Sequence, residues 1–219
     1  MRFAVCVFPG SNCDYDTYYV IRDILNQEVS FVDHTQKSLK GFDCVVLPGG
    51  FSFGDYLRAG VLASKTPLGH AIVDFAQKGG LVLGICNGFQ ILTELGLLPG
   101  ALLKNENMRF VCKDVLLRVE NNNLPFTRRF ERGEIIRLPI AHGEGRYYVD
   151  QETLRLMRER GQIVLRYYQE NPNGSVDNIA GVCNKEGNVF GLMPHPERAC
   201  EDLLGYHDGL LLWNSLLSL

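Results

Sequence analysis

The run Leu81-Val-Leu-Gly-Ile85 carries no polar side chain, so a strand built from it must be covered on both faces. Strands of that kind sit inside parallel sheets sandwiched between helices. The same signal recurs at Phe3 to Phe8, at Val29 to Val32, and at Cys44 to Leu47, where Pro48-Gly49-Gly50 stops it. Helical patterns fall between them. One runs from about Asp14 to Asn26, with Tyr18, Ile21, Ile24 and Leu25 on one face, and another from about Pro67 to Gln77. Strands interleaved with helices imply βαβ units.

The later half changes character. Short strand candidates stand at Phe110 to Cys112, Val115 to Val119, Ile135 to Leu138, Ile163 to Tyr167, Ile179 to Cys183 and Val189 to Met193. Turn signals such as Asn171-Pro-Asn-Gly174 and Lys185-Glu-Gly-Asn188 separate them. A charged helix is predicted from Gln151 to Arg160, and an amphipathic one from about Cys200 to Leu217, whose leucines are read as core packing, with a partner-facing stripe as the other reading. The expected architecture is one α/β domain over residues 1–219. It is a flavodoxin-like, mostly parallel sheet flanked by helices, with antiparallel strands in the later half.

The bulk properties narrow the function class. A length of 219 residues suits one such domain. A net charge of -3 and a pI near 6.0 give no basic field for nucleic acid or an anionic membrane. The apolar run Gly209 to Trp213 is far too short to span a bilayer. Met1-Arg2 leads straight into a strand, with no signal-peptide pattern. The seven cysteines are scattered and no pair has C-x-x-C spacing, so the expectation is reduced thiols in the cytoplasm and no metal site.

One cysteine stands apart. Gly84-Ile85-Cys86-Asn87-Gly88 lies between the apolar strand and a helix that runs on through Phe89, Gln90, Ile91, Leu92 and Leu95. Glycines two before and two after a central residue are the pattern of a nucleophile elbow. The turn is tight enough to force its central residue into a strained conformation at the start of a helix. There the helix dipole and free N–H groups favour a thiolate. The Asn87 N–H is aimed at any oxyanion formed on a carbonyl that Cys86 attacks. The plainer reading is a structural cysteine in a glycine-rich turn.

A cysteine nucleophile needs a base and an orienting acid. Of five histidines, His195 is the best candidate, in Met193-Pro-His-Pro-Glu-Arg198. Flanking prolines fix its backbone, and Glu197, two residues on, points the same way in an extended segment. His142, in Ala141-His-Gly-Glu-Gly-Arg146, is the competing base, though its glycine-flanked loop suits shaping a pocket better. The turn Pro48 to Asp55 offers main-chain donors, at Gly49 and Gly50, for a second oxyanion contact or for a phosphate. No Walker motif and no G-x-G-x-x-G is present, so a reaction that consumes ATP needs another chain to bind it.

These pieces resemble the triad-type (class I) glutamine amidotransferases. That family carries G-x-C-x-G-x-Q, here Gly84-Ile-Cys86-Asn-Gly88-Phe-Gln90, and a late His-x-Glu, here His195-Pro-Glu197. The resemblance covers essentially the whole chain. Three runs, Phe8-Pro-Gly-Ser-Asn-Cys-Asp14, Pro48 to Gly60 and Met193 to Arg198, are similar to the branch that serves phosphoribosylformylglycinamidine synthases in purine synthesis.

The resemblance implies roles. Cys86 would attack the side-chain amide of L-glutamine, His195 would move the proton, and Glu197 would orient His195. Gln90, Gly49, Gly50, and His142, Gly143 and Glu144 would hold the substrate, with Asn107 and Phe110 as further contacts. The chain itself would need no cofactor. ATP and magnesium would belong to a large synthetase subunit that receives the ammonia, with a small third protein beside it. The chain resembles the free-standing small-subunit form of this family. Rival readings are a cysteine peptidase or deglycase on the same fold, a glutaminase for another acceptor, or a non-catalytic scaffold. The first of these often places its base directly after the cysteine, where Asn87 stands here.

Overall fold

The computed structural model describes residues 1–218. Its first half is the alternation the apolar runs predict. Strand β1 (Arg2–Val7) is followed by α1 (Asp14–Tyr19), β2 (Glu28–Asp33) and β3 (Cys44–Leu47). Two helices, α2 (Val61–Ser64) and α3 (Pro67–Gln77), lead to β4 (Leu81–Ile85) and α4 (Asn87–Glu94). The start of α3 is fixed by Thr66, whose hydroxyl accepts from the Gly69 N–H, with Pro67 in the first turn. The helix predicted over Asp14–Asn26 instead widens after Tyr19 into a π-helical turn, Val20–Ile24, with the Leu25 N–H on the Val20 carbonyl.

The second half runs β5 (Ala101–Leu103), β6 (Val111–Val119), β7 (Ile135–His142), β8 (Arg146–Tyr148), α5 (Gln151–Glu159), β9 (Ile163–Tyr168), β10 (Ile179–Cys183), β11 (Val189–Leu192) and α6 (Asp208–Leu216). The two strands predicted either side of Lys113-Asp114 are one continuous strand, because those polar side chains face solvent. The last helix begins at Asp208, not near Cys200. A short 3₁₀ turn and Gly205, at φ 94°, intervene. Its Leu212, Trp213 and Leu216 are buried in the core.

Nine strands form one sheet in the order β2-β1-β3-β4-β11-β10-β9-β6-β7. The first five pair in parallel and the rest antiparallel. The parallel half therefore has the doubly wound order in which ligands bind beyond the carboxyl ends of the strands, where connections part to opposite sides. β1, β3, β4 and β11 all end at that edge. So does β7, because alternate antiparallel steps return it to the same direction. A separate ribbon pairs β5 with β8. Among the described residues, no helix is long and apolar enough to cross a membrane.

Candidate active site

Five strand ends deliver the site: the loop after β1, the glycine turn after β3, the elbow after β4, the loop after β7 and the His-Pro-Glu segment after β11. Cys86 has φ 51° and ψ -105°, a conformation L-residues avoid, and it heads α4 as its N-cap. Its flanking glycines are forced by contact. A Cβ on Gly88 would stand 2.0 Å from the Leu47 carbonyl oxygen, and one on Gly84 would stand 2.8 Å from the Gly88 carbonyl oxygen. Asn87 is the first residue of α4, so its N–H has no acceptor inside the helix.

His195 is buried, and its Nδ1–H donates to Glu197 Oε1 at 2.6 Å. The Glu197 side chain is sealed from solvent. The other imidazole nitrogen, Nε2, has no hydrogen-bond partner among the described residues. Burial works to lower the His195 pKa, but the Glu197 carboxylate and the nearby Cys86 sulfur outweigh it and raise it well above its ordinary value. Around Gly49 the side chains converge. A Cβ there would lie 2.7 Å from His195 Cε1, 3.0 Å from Cys13 Sγ and 3.5 Å from Cys86 Cβ. Gly50, at φ 148°, turns the chain beside them, and its N–H donates to no group among the described residues. A cavity of about 160 Å³ is lined by Cys86, His195, Gly50, Phe110, Cys13 and Arg198, among others.

The other predicted residues fall into a supporting network. Asn87 reaches three ways: its Oδ1 accepts from the Ser52 N–H at 3.1 Å, and its Nδ2 donates to Gln90 Oε1 at 2.9 Å and to Asp55 Oδ1 at 3.4 Å. Gln90 Nε2 in turn donates to the Glu144 carbonyl at 2.6 Å. One end of the Gln90 amide thus ties α4 to the loop after β7, while the other bonds within the helix to Asn87. The Asp55 carboxyl is pushed up to about 6, by burial first and then by the charge of Glu144. The Gly143 carbonyl accepts from the Asn105 N–H at 2.9 Å. Phe110 lines the cavity, whereas the Asn107 side chain caps the Arg109 N–H at 3.0 Å.

His142 is committed elsewhere. Its Nδ1 lies 3.1 Å from Asn105 Oδ1, and Asn173 Nδ2 donates to its Nε2 at 3.5 Å. Burial, and then the charge on His195, push its pKa down to about 4, so it stays neutral. That is the state of a structural imidazole, not of a base poised near neutrality.

Sequence reasoning misses Cys13, Arg198, Asp55, Asn105 and Asn173. Cys13 and Arg198 both lie inside the runs that carry the family resemblance, but spacing alone does not bring them together. Cys13, His195 and Glu197 offer ligand atoms within 4.8 Å of one another. The imidazole nitrogen facing Glu197 is already hydrogen-bonded to it, so the trio is a histidine–carboxylate pair beside a thiol, not an open ligand shell.

A family profile for the CobB/CobQ-like glutamine amidotransferase domain matches residues 1–207. The chain belongs to this glutamine amidotransferase family. It is 70% identical over 226 residues to phosphoribosylformylglycinamidine synthase subunit PurQ of Aquifex aeolicus, covering 100% of both chains. Among solved structures it is similar to a chain of PurLQS from Thermotoga maritima, at TM-score 0.91 and 50% identity over 99% of this chain and 97% of that one. A glutamine amidotransferase of Thermotoga maritima, 18% identical at TM-score 0.61 over 98% of this chain and 89% of that one, shares the fold. An amidotransferase of this family needs a thiol nucleophile, a base and oxyanion donors. Cys86 and His195 can supply the first two, and the Asn87 and Gly50 N–H groups the third.

Proposed function

We propose that the chain is the glutaminase subunit of a phosphoribosylformylglycinamidine synthase, with Cys86 as its nucleophile. The observation that carries the chemistry is the sealed His195–Glu197 pair, whose free Nε2 stands beside a strained cysteine. The Cys86 thiolate attacks the side-chain amide carbon of L-glutamine. The oxyanion forms against the Asn87 and Gly50 N–H groups, each such donor being worth about 10²–10³ in rate. His195 gives its proton to the departing nitrogen, which leaves as ammonia, and a γ-glutamyl thioester remains. His195, now neutral, takes a proton from water as it attacks the thioester. Glutamate leaves, and the Cys86 thiolate and the protonated His195 are restored. Glu197 holds the imidazole and stabilises its charged form.

The full-length match to PurQ and the likeness to a chain of PurLQS support the wider assignment. The ammonia passes to a large synthetase subunit, which uses ATP and magnesium to convert formylglycinamide ribonucleotide to formylglycinamidine ribonucleotide. A small third subunit joins them, and the complex works in the cytoplasm. Glutamine hydrolysis depends on the partner, because a free-running glutaminase wastes glutamine.

The deciding experiment maps a chloroketone analogue of glutamine by mass spectrometry, on the chain alone and in its complex. Stoichiometric labelling of Cys86, blocked by glutamine, is expected, together with loss of glutamine-dependent but not ammonia-dependent synthesis in Cys86→Ala. Scattered labelling, or loss of both syntheses, sinks the assignment.

A further inference from the structure

The loop after β1 and the turn after β3 are interlocked through their main chains. The Phe51 N–H donates to the Gly10 carbonyl at 2.9 Å. The Cys13 and Asn12 N–H groups both donate to the Gly49 carbonyl, at 3.1 and 3.4 Å. In a trans peptide the carbonyl and the next N–H point in opposite directions. Holding the Gly49 carbonyl from one side therefore turns the Gly50 N–H to the other, and Gly50 lines the cavity with Cys86.

Cys13 is held in turn. Arg198, the residue after the triad acid, donates from Nη2 to the buried Cys13 sulfur at 3.0 Å and pairs through Nε with Asp16 Oδ2 at 3.4 Å. Arg198 and Cys13 are 185 positions apart, yet their contact joins the segment that carries the base to the segment that holds the oxyanion peptide. The nucleophile is not part of that path.

We propose that Cys13 and Arg198 are positioning residues for glutamine hydrolysis: together they fix the Gly50 N–H relative to His195. The inference rests on the glutaminase reading above. It predicts a defect in turnover with little change in glutamine binding, because the pair aligns groups used at the transition state.

The test uses the full complex, with Cys13→Ala, Arg198→Met, Arg198→Lys and the Cys13→Ala/Arg198→Met double variant. Glutamine-dependent kcat is expected to fall about 10–100-fold in the first two, somewhat less than removal of an oxyanion donor outright. KM for glutamine stays within about threefold and ammonia-dependent synthesis is unchanged. The Arg198→Lys variant recovers part of the loss through its single ammonium. The double variant is no worse than the poorer single, as expected of two residues acting through one contact. Turnover within about twofold of the parent in both singles overturns the proposal. So does a rise in KM at unchanged kcat, which makes Arg198 a substrate contact, or a double variant whose losses multiply. If Arg198→Met does not fold, the smaller Cys13→Ala change decides alone. Chloroketone labelling of Cys86 in the parent separates the two failures: its absence removes the glutaminase reading, whereas labelling with unaltered kcat in the variants removes only this inference.

Discussion

The Cys86 N–H donates to the Leu192 carbonyl at 2.8 Å, three residues before His195. Nucleophile and base are thus brought together by sheet register. β4 and β11 are parallel neighbours with Ile85 opposite Leu192, so both chains leave the sheet at the same level. What the turns then add is direction: a strained residue at one end and a proline-flanked imidazole at the other.

Glu197→Gln should move the pH profile. The carboxylate favours the charged imidazole and holds the His195 pKa up; without it that pKa falls. The basic limb of glutamine-dependent kcat/KM then shifts to lower pH, and kcat drops by about 10² or more. A variant with the parent's basic limb would mean that Glu197 does not act on the imidazole's charge.

His142 should make the chain acid-sensitive. Its folded pKa near 4 lies below its ordinary value of 6.5, so the unfolded chain takes up a proton first as pH falls. Between pH 7 and 4 this costs about 3 kcal/mol of stability, since each tenfold difference in proton affinity between the folded and unfolded chain is worth about 1.4 kcal/mol. His195 acts in the opposite sense. Its raised pKa contributes stability that is fully present at acid pH and is lost only as pH rises through the folded value. Urea denaturation at both pH values should show His142→Asn losing less on acidification than the parent does. Equal losses would refute the assignment.

Gly88→Ala should be far costlier than Gly143→Ala. The first places a methyl 2.0 Å from a main-chain oxygen of β3; the second meets only the Phe110 ring, at 3.8 Å. Overpacking of this kind typically costs about 1–3 kcal/mol or more, which lowers Tm by roughly 3–10 °C in a chain of this size. Thermal unfolding of the two variants decides it, with Gly143→Ala expected within about 2 °C of the parent.

Thiol alkylation should sort the seven cysteines. Burial pushes up the thiols of Cys6, Cys44, Cys183 and Cys200, while Cys112 is exposed. Iodoacetamide on the native chain is expected to modify Cys112 readily and to leave those four untouched until denaturant is added. Their early modification, measured by mass spectrometry, would contradict their place in the packed core.

The sequence is most legible where signals are local. Leu81–Ile85 with Gly84-x-Cys86-x-Gly88 specifies strand, turn and helix within a dozen positions, and His195-Pro-Glu197 carries base and acid within three. The short β5–β8 ribbon is harder to read, because Ala101–Leu103 pairs with residues more than forty positions away. So is the unwinding between Cys200 and Asp208, where Gly205 and the Glu201–Tyr206 bridge override an apolar pattern that reads as helix. The asparagine network around His142 is invisible for a related reason. Asn105 and Asn173 sit in polar loops, and only the packed chain shows that their amides face inward.

The placement of β7 has a consequence for how far this enzyme can be pared down. The His195 N–H donates to the Pro139 carbonyl at 2.8 Å, so the segment bearing the base leans on a strand from the antiparallel half. Cys86 Sγ, at 3.7 Å from the Ala141 carbonyl, touches the same strand. The five parallel strands supply the frame of a doubly wound protein, but a fragment limited to them leaves the imidazole without its support. Engineering a minimal ammonia donor from this scaffold must therefore keep the sheet out to its far edge, and insertions are better tolerated at exposed loop tips than in the strands that brace the site.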